Sequence, residues 1–507
     1  MATIETLYNV RNNQSVDLQE VPVFDYADFS HLMIRLFEKA DNHCVNYFAY
    51  KTLEVLHFVA CVADDETGDI ALLSHKMKIS ERVALKSLTV AIPALHVFER
   101  EIHENFGVGF SDHPWLKPIR YPKNRADSKA EINDYPFYSI KSEELHEVGV
   151  GPIHAGVIEP GHFRFICNGE NVLHLEIQLG WQHRGIEKLM LEKESYLQKN
   201  ILAENIAGDT ATAHATAYTQ LMEALAGIEI SERLEIERAL AMELERIAIH
   251  VGDISALCVD VAYHLGAAVF SVLRTGIINF TQAWCGNRLG KGLIRAGGTN
   301  FPFTEDLKQQ LYDLLDDFEK RFNEMGAIAY HLPSVENRFD DIGTITEKQA
   351  RLIGSVGMAA RMTNVPRDIR QSHPFAGYKK FQVNTITLKG GDVFARFLLR
   401  RKEIKASIGW IRNVLANTDF CSSGCARPDN NLKLKPNSFA TVLTEGWRGE
   451  ICHCAVTDEN GILIHYKIKD PSLHNWKSLE LSLRNLEISD FPINNKSYNL
   501  SYCGHDL

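Results

Sequence analysis

Nothing in this 507-residue chain reads as built to cross a membrane or to grip nucleic acid. The formal net charge is −11, which repels a polyanion. Met1 is followed by Ala-Thr-Ile-Glu-Thr, with neither a basic region nor an apolar run, so no secretory leader is expected. The most apolar window, Ser255 to Leu273, contains Asp260 and His264, and Arg274 follows at once. A charge at mid-bilayer is costly, so the window reads as a buried helix, and partners have to supply any spanning helices. The ten cysteines are scattered and form no disulfide framework, so a reducing cytoplasm is expected. Gly149-Val150-Gly151 opens like a dinucleotide fingerprint, but position 154 is His154 and a hairpin follows instead of a helix. A nucleotide-cradling turn is thereby excluded.

What is present divides along the chain. Residues 1–125 mix strand and helix patterns and read as an α+β domain. "VLHFVACVA", Val55 to Ala63, reads as a buried strand. "ISERVALKSLTVAIPALHVFEREIHENFG" reads as helical with a break near Pro93. Residues 126–148 lie in a stretch rich in Pro, Asp, Lys and Asn and read as a linker. Residues 149–507 read as a mainly α-helical domain with β-hairpins near its two ends. Alternating Phe163, Phe165, Cys167 and Leu173, Leu175, Ile177, Leu179 flank Asn168-Gly169, the residue types a tight turn needs. A second hairpin carries Asn460-Gly461 at its turn. Between them Leu240, Leu244, Ile247, Val251 and Ile254 keep a helical seam, with Ser231 as the expected cap. "EDLKQQLYDLLDDFEKRFNEM" and "GDVFARFLLRRKEIKASIGWIRNVL" are further helical stretches.

Several clusters carry two readings. Cys452-His453-Cys454 has metal-ligating residue types, but on a strand the thiols face one way and the imidazole the other. Cys421 and Cys425 have no second cysteine pair nearby and read as a loop with free thiols. "HRGIEKLM" reads as the opening of a helix, with His183 and Glu187 on one face and Arg184 and Lys188 on another. It is either a functional face or a solvated one. Arg246 and His250 lie one turn apart and suit an inter-helix contact as well as a site. Arg361, Arg367, Asp368 and Arg370 suit either recognition of an anionic centre or a structural ion-pair network.

Taken in order, "GPIHAGVIEPGHFRF", "LGWQHRGIEKLM", "RALAMELERIAIHVGD", "GDVFARFLLRRKEI", "EGWRGEICH" and "DPSLHNW" resemble the large subunit of group 4 membrane-bound [NiFe] hydrogenases of the formate hydrogenlyase type. They also resemble the homologous 49-kDa subunit of respiratory complex I. "FEREIHENFGVGFSDHPWLKPIRYP" resembles the end of the 30-kDa subunit, which some members carry fused at the N-terminus.

The resemblance implies a hydrogenase-large-subunit-like fold for the second domain. In the hydrogenases two cysteine pairs hold nickel and iron. The matching positions here are Ala207, Thr210, Ser472 and Asn475. A methyl, two hydroxyls and an amide are not soft donors, so neither a nickel centre nor hydrogenase activity is expected. The bare stretch "NIAGDTATAHATAY" then lines a cavity that receives a quinone or nothing. About thirty residues follow the second pair, and no nickel-linked trimming is expected. The resemblance further implies an NADH:quinone oxidoreductase-like electron-transfer subunit, coupled to ion translocation. It would sit peripherally on the cytoplasmic side of the membrane. Its partners would be a 20-kDa-like iron–sulfur subunit and antiporter-like membrane subunits. NAD binding enters only by family analogy, since other subunits hold the nucleotide. Candidate proton-handling groups are His154, Glu159, His162, Asp209 and His214. Arg184, Glu187, Arg361 and Arg370 are expected near the partner cluster or the cavity. The alternative is a non-catalytic coupling piece between an iron–sulfur partner and a membrane arm.

Overall fold

A computed structural model describes residues 7–81, 84–154, 158–420 and 426–507. The first half of the α+β pattern is an antiparallel ladder. Tyr8–Arg11, Asp69–Lys78, Val55–Asp64 and Asn42–Thr52 lie side by side, and Val23–Phe24 pairs parallel to Asp69–Lys78. Val55–Asp64 is the strand expected from its apolar run. It is central, and burial on both faces explains why the run is continuous instead of alternating. Helix Tyr26–Leu36 covers one face with Phe29, Leu32 and Met33; its Asp25 cap accepts from the Asp28 amide.

The segment around Pro93 is less helical than its pattern suggests. Leu85–Lys86 is a strand paired with Phe110–Ser111, and the helix runs only from His96 to Phe106, ending at Gly107 with φ 72°. Proline at 93 starts a short 3-10 turn and fixes the entry to the helix.

The two halves interlock. Gln14–Asp17 leaves the first ladder and pairs with Ser438–Glu445, completing a four-stranded sheet with Glu450–Thr457 and Leu463–Lys469. Asn12 clamps the junction: its side-chain amide donates to Leu443 O and accepts from Leu443 N, both at 2.9 Å. This second sheet is therefore built from both ends of the chain.

The first hairpin forms as expected, from His162–Asn168 and Asn171–Gln178, with His146–Val150 as a third strand. Its turn lies one residue later than Asn168-Gly169: Asn168 pairs with Asn171, and Gly169 alone takes φ 59°. A bulge at Ile166/Cys167 shifts the facing register, so Val172 is buried and Leu173 is half-exposed.

Helix Glu232–Asp260 is the spine of the second half. Ser231 caps it, and the expected seam from Leu240 to Ile254 is buried throughout. Helix Val393–Asn417 packs beside it, and helix Glu305–Ala329 packs against Val393–Asn417 and His264–Cys285; Asp392 and Thr304 cap their starts. The apolar window Ser255–Leu273 is not one buried helix. The spine ends at Asp260, a new helix runs His264–Cys285, and Leu265 and Val272 face outward. Among the described residues no helix is long and apolar enough to cross a membrane.

Candidate functional site

The stretch 205–218 lies at the start of helix Ala211–Ala226, and it is bare because it is packed. Ala207, Thr210, Ala211, Ala213, Ala215 and Ala217 are all fully or almost fully buried. Small side chains let this helix lie directly on the sheet strands Ser438–Glu445 and Glu450–Thr457. The one imidazole of the stretch, His214, enters that contact.

His214 is wholly enclosed and has two partners. Its Nε2 lies 3.1 Å from Asp470 Oδ2, and its Nδ1 lies 3.1 Å from His453 Nε2. His453 Nδ1 in turn lies 2.8 Å from the Tyr466 hydroxyl. Strand alternation makes this possible: His453 points toward the helix, while Cys452 and Cys454 point to the opposite face, where Asn46 meets their sulfurs. The two cysteines and the histidine do not converge.

One set of neutral tautomers satisfies every contact. Tyr466 O–H donates to His453 Nδ1, His453 Nε2–H donates to His214 Nδ1, and His214 Nε2–H donates to Asp470. Adding a proton to His214 reverses the middle of the chain: His214 then donates to both neighbours, and His453 donates to Tyr466. In that second arrangement the Tyr466 hydroxyl proton has no acceptor within the row, so only the neutral arrangement of Tyr466–His453–His214–Asp470 is satisfied from end to end. Burial and the neighbouring His214 hold His453 well below the usual imidazole range. Burial would raise the Asp470 carboxyl, but hydrogen bonding from His214, with Arg448 nearby, keeps it below the usual carboxylate range.

The tight turn Gly446–Gly449 organises the helix start. Arg448 makes two bonds of 2.6 Å to the Asp209 carboxylate and one of 3.0 Å to Thr210 Oγ. Trp447 donates to Asp209 O at 2.9 Å, and the Arg448 guanidinium lies over its indole. Glu245 accepts from the Thr212 amide at 2.8 Å. Burial, with the Asp209 carboxylate adding, pushes Glu245 up to about 8.

The four positions matched to nickel ligands are enclosed and engaged within the protein. Thr210 is held as described. Ser472 Oγ accepts from Ser501 N at 3.0 Å, and the Asn475 amide exchanges bonds of 3.1 Å with Val356 N and O. Two large cavities, about 710 and 630 Å³, are lined by other residues. Among the described residues the segment Ser501–Asp506 lies across Asp470 and Ser472, and neither of these two cavities opens between Ala207 and Ser472.

The other expected residues divide. Glu159 accepts from Cys503 N at 3.0 Å, and His154 Nε2 lies 3.3 Å from the Tyr502 hydroxyl, so both reach the segment that covers Ser472. Burial lowers His154. His162 is turned away, against Phe137, with Nε2 unpartnered. Residues 155–157 of that loop, and Cys421 to Cys425, lie outside the described residues. His183 and Glu187 do not share a helix face, because Gly185 at φ 70° delays the helix to Ile186. Arg184 instead ties Asn205 O and Ile206 O to Cys503 O, and Glu187 accepts from Ile468 N and pairs with Lys467. Arg361 and Arg370 enter a buried ion network. Arg361 binds Glu403 and Glu445 at 2.8 and 2.7 Å, and Arg370 joins Asp368 and Glu243. His250 meets Glu403 at 2.9 Å, the inter-helix contact that its spacing suited. Asp470, Tyr466, Arg448 and Glu245 were not singled out from the sequence. For Asp470 and Arg448 the signal was present, inside "DPSLHNW" and "EGWRGEICH".

The family described as "Respiratory-chain NADH dehydrogenase, 30 Kd subunit" matches residues 25–136, and "Respiratory-chain NADH dehydrogenase, 49 Kd subunit" matches residues 265–426. The chain is a fused 30-kDa/49-kDa-type subunit. Its relatives include hydrogenase-4 component G of Escherichia coli (strain K12), 28% identical over 427 residues, covering 80% of this chain and 73% of the relative. Formate hydrogenlyase subunit 5 of the same organism is also 28% identical, over 425 residues, covering 80% and 74%. An NADH-quinone oxidoreductase component from Phocaeicola vulgatus is 25% identical over 478 residues, covering 86% and 89%. This 30-kDa/49-kDa-type chain is thus a complex I-like, hydrogenase-related oxidoreductase subunit. His214, His453 and Asp470 lie outside both matched spans.

Proposed function

We propose that this subunit serves a membrane-bound, quinone-linked oxidoreductase coupled to ion movement, in which the position of the nickel centre has become a proton-handling core. The row Tyr466–His453–His214–Asp470 carries the reading. Three buried contacts between titratable groups in series suit proton transfer better than they suit an inert core. The donor set supports the same view. A methyl, two hydroxyls and an amide do not fit a nickel ion, and the hydroxyl of Ser472 and the amide of Asn475 are already bound to backbone. The chain's own residues would take up or release the accompanying proton. Partners would be a cluster-bearing small subunit and membrane subunits, as the family resemblance implies. The test is the purified complex: quinone-dependent turnover, no stoichiometric nickel, and loss of turnover with assembly retained in His214→Phe. Nickel at one per complex would overturn the proposal.

A second reading is favoured by one observation. Asp209 is locked to Arg448 and is not poised for transfer, as a purely structural coupling piece would have it. Normal turnover in both His214→Phe and Asp209→Asn complexes would favour that scaffold.

A further inference from the structure

The cavity of about 710 Å³ lies away from His214, where helix His96–Phe106, the segment Pro114–Ile119, the first hairpin and helix Ser472–Ser482 meet. Its walls are largely apolar, with Trp115, Leu116, Tyr138, Ile177 and Leu473 among them. Its charges do not balance. Arg100, Lys117, Lys477 and Arg484 line it against only two carboxylates, Glu176 and Glu480. The chain as a whole carries −11, so a basic cavity runs against the background.

Both carboxylates are already taken. Lys117 pairs with Glu176, and Lys477 with Glu480. The two arginines are left over, and neither forms an ion pair among the described residues. Arg484 is exposed. Arg100 is half-buried and held in place by carbonyls: its Nε donates to Lys117 O at 2.8 Å and its Nη2 to Pro118 O at 2.7 Å. Carbonyls fix a guanidinium without cancelling its charge, and Nη1 keeps its donors without a hydrogen-bond partner among the described residues. The three histidines of the lining do not add to the surplus, since burial lowers His96, His174 and His505 from the usual imidazole range.

The occupant that completes this lining is an anion with an apolar body. A free guanidinium edge is matched by a carboxylate. A doubly charged phosphate would have to shed more water to lie against walls of this kind. We propose that this cavity binds a small apolar monocarboxylate, its carboxylate on Arg100 and its body against Trp115, Tyr138 and Leu473, with Arg484 adding attraction from the solvent side. The volume lies in the range of small-molecule sites. The site goes beyond the proton-handling reading and does not depend on it, because it is read by binding to the chain alone.

The test is calorimetric titration of the full-length chain at neutral pH with 4-phenylbutyrate and with 4-phenylbutanamide, which keeps the shape and loses the charge. The acid should bind about tenfold tighter than the amide, as a charge-assisted hydrogen bond gives. Only the acid should weaken with added salt. Arg100→Gln should bring the acid down to the amide. Tyr138→Ala, at an exposed position of the wall, should weaken both and so place them in this cavity. If Arg100→Gln fails to fold, Arg484→Gln at its exposed position should still weaken the acid by about two- to fivefold and leave the amide unchanged. No binding, equal affinity for acid and amide, displacement of the acid by inorganic phosphate, or unchanged binding in Tyr138→Ala would overturn the proposal.

Discussion

His453 Nε2 faces His214 Nδ1 across 3.1 Å, joining a sheet strand to a helix residue that lies 239 positions earlier in the chain. The contact requires one ring to donate and the other to accept, so the protonation of each is set by its far neighbour, Tyr466 or Asp470.

Breaking that row should stop proton movement without unfolding the chain. His453→Phe keeps the volume and removes both nitrogens. Turnover of the assembled complex should fall by about 10²-fold, in the range of a lost acid–base group. His453→Gln should recover part of it. Steady-state rates against pH, with assembly checked by gel filtration, measure the effect; unchanged rates in His453→Phe would end the relay reading.

Asp470 and Glu245 give opposite pH signatures. Asp470 is depressed in the fold, so its stabilisation is full above the unfolded carboxylate range, about pH 4, and is lost as pH falls through its lower folded value. Glu245 is raised to about 8, so the fold favours its protonated form. Its contribution is full below about pH 4 and is lost as pH rises through 8. Glu245→Gln should therefore stabilise the chain above pH 8 by about 1–2 kcal/mol and do little at pH 4. Asp470→Asn should remove Asp470's share of the acid-side dependence, leaving that of the other depressed carboxylates such as Glu403 and Glu450. Urea midpoints between pH 3 and 9 test both, and a Glu245→Gln midpoint that tracks wild type at pH 9 contradicts the assignment.

Gly504 is a packing requirement of the site. A Cβ there would stand 2.7 Å from the Asp470 carboxyl carbon. Gly504→Ala should cost about 1–3 kcal/mol and push Asp470 off His214. A melting temperature equal to wild type would show that the segment Ser501–Asp506 can yield.

The Arg361 network is structural in its energetics. Arg361→Met leaves Glu403 and Glu445 buried against one another and should cost about 3–5 kcal/mol. Adding Glu445→Gln should restore part of that. If the double variant is no more stable than the single one by denaturation, the two carboxylates are not coupled through Arg361.

Local pattern decided a good deal from sequence alone. The seam from Leu240 to Ile254 and the Ser231 cap specified the spine helix, because helical period and capping depend only on near neighbours. Alternation on the strand placed His453 opposite Cys452 and Cys454. The expectation of no soft-metal centre at Ala207, Thr210, Ser472 and Asn475 came from the family resemblance and their residue types, not from local period. Tertiary structure decided the rest. That Asp470 and Tyr466 complete the row with His214, that Arg448 locks Asp209, and that Ser501–Asp506 lies across Asp470 and Ser472 are all contacts between segments far apart in the chain. Gln14–Asp17 joining the C-terminal sheet is another. Such contacts depend on which surfaces pack together, and no local periodicity records them.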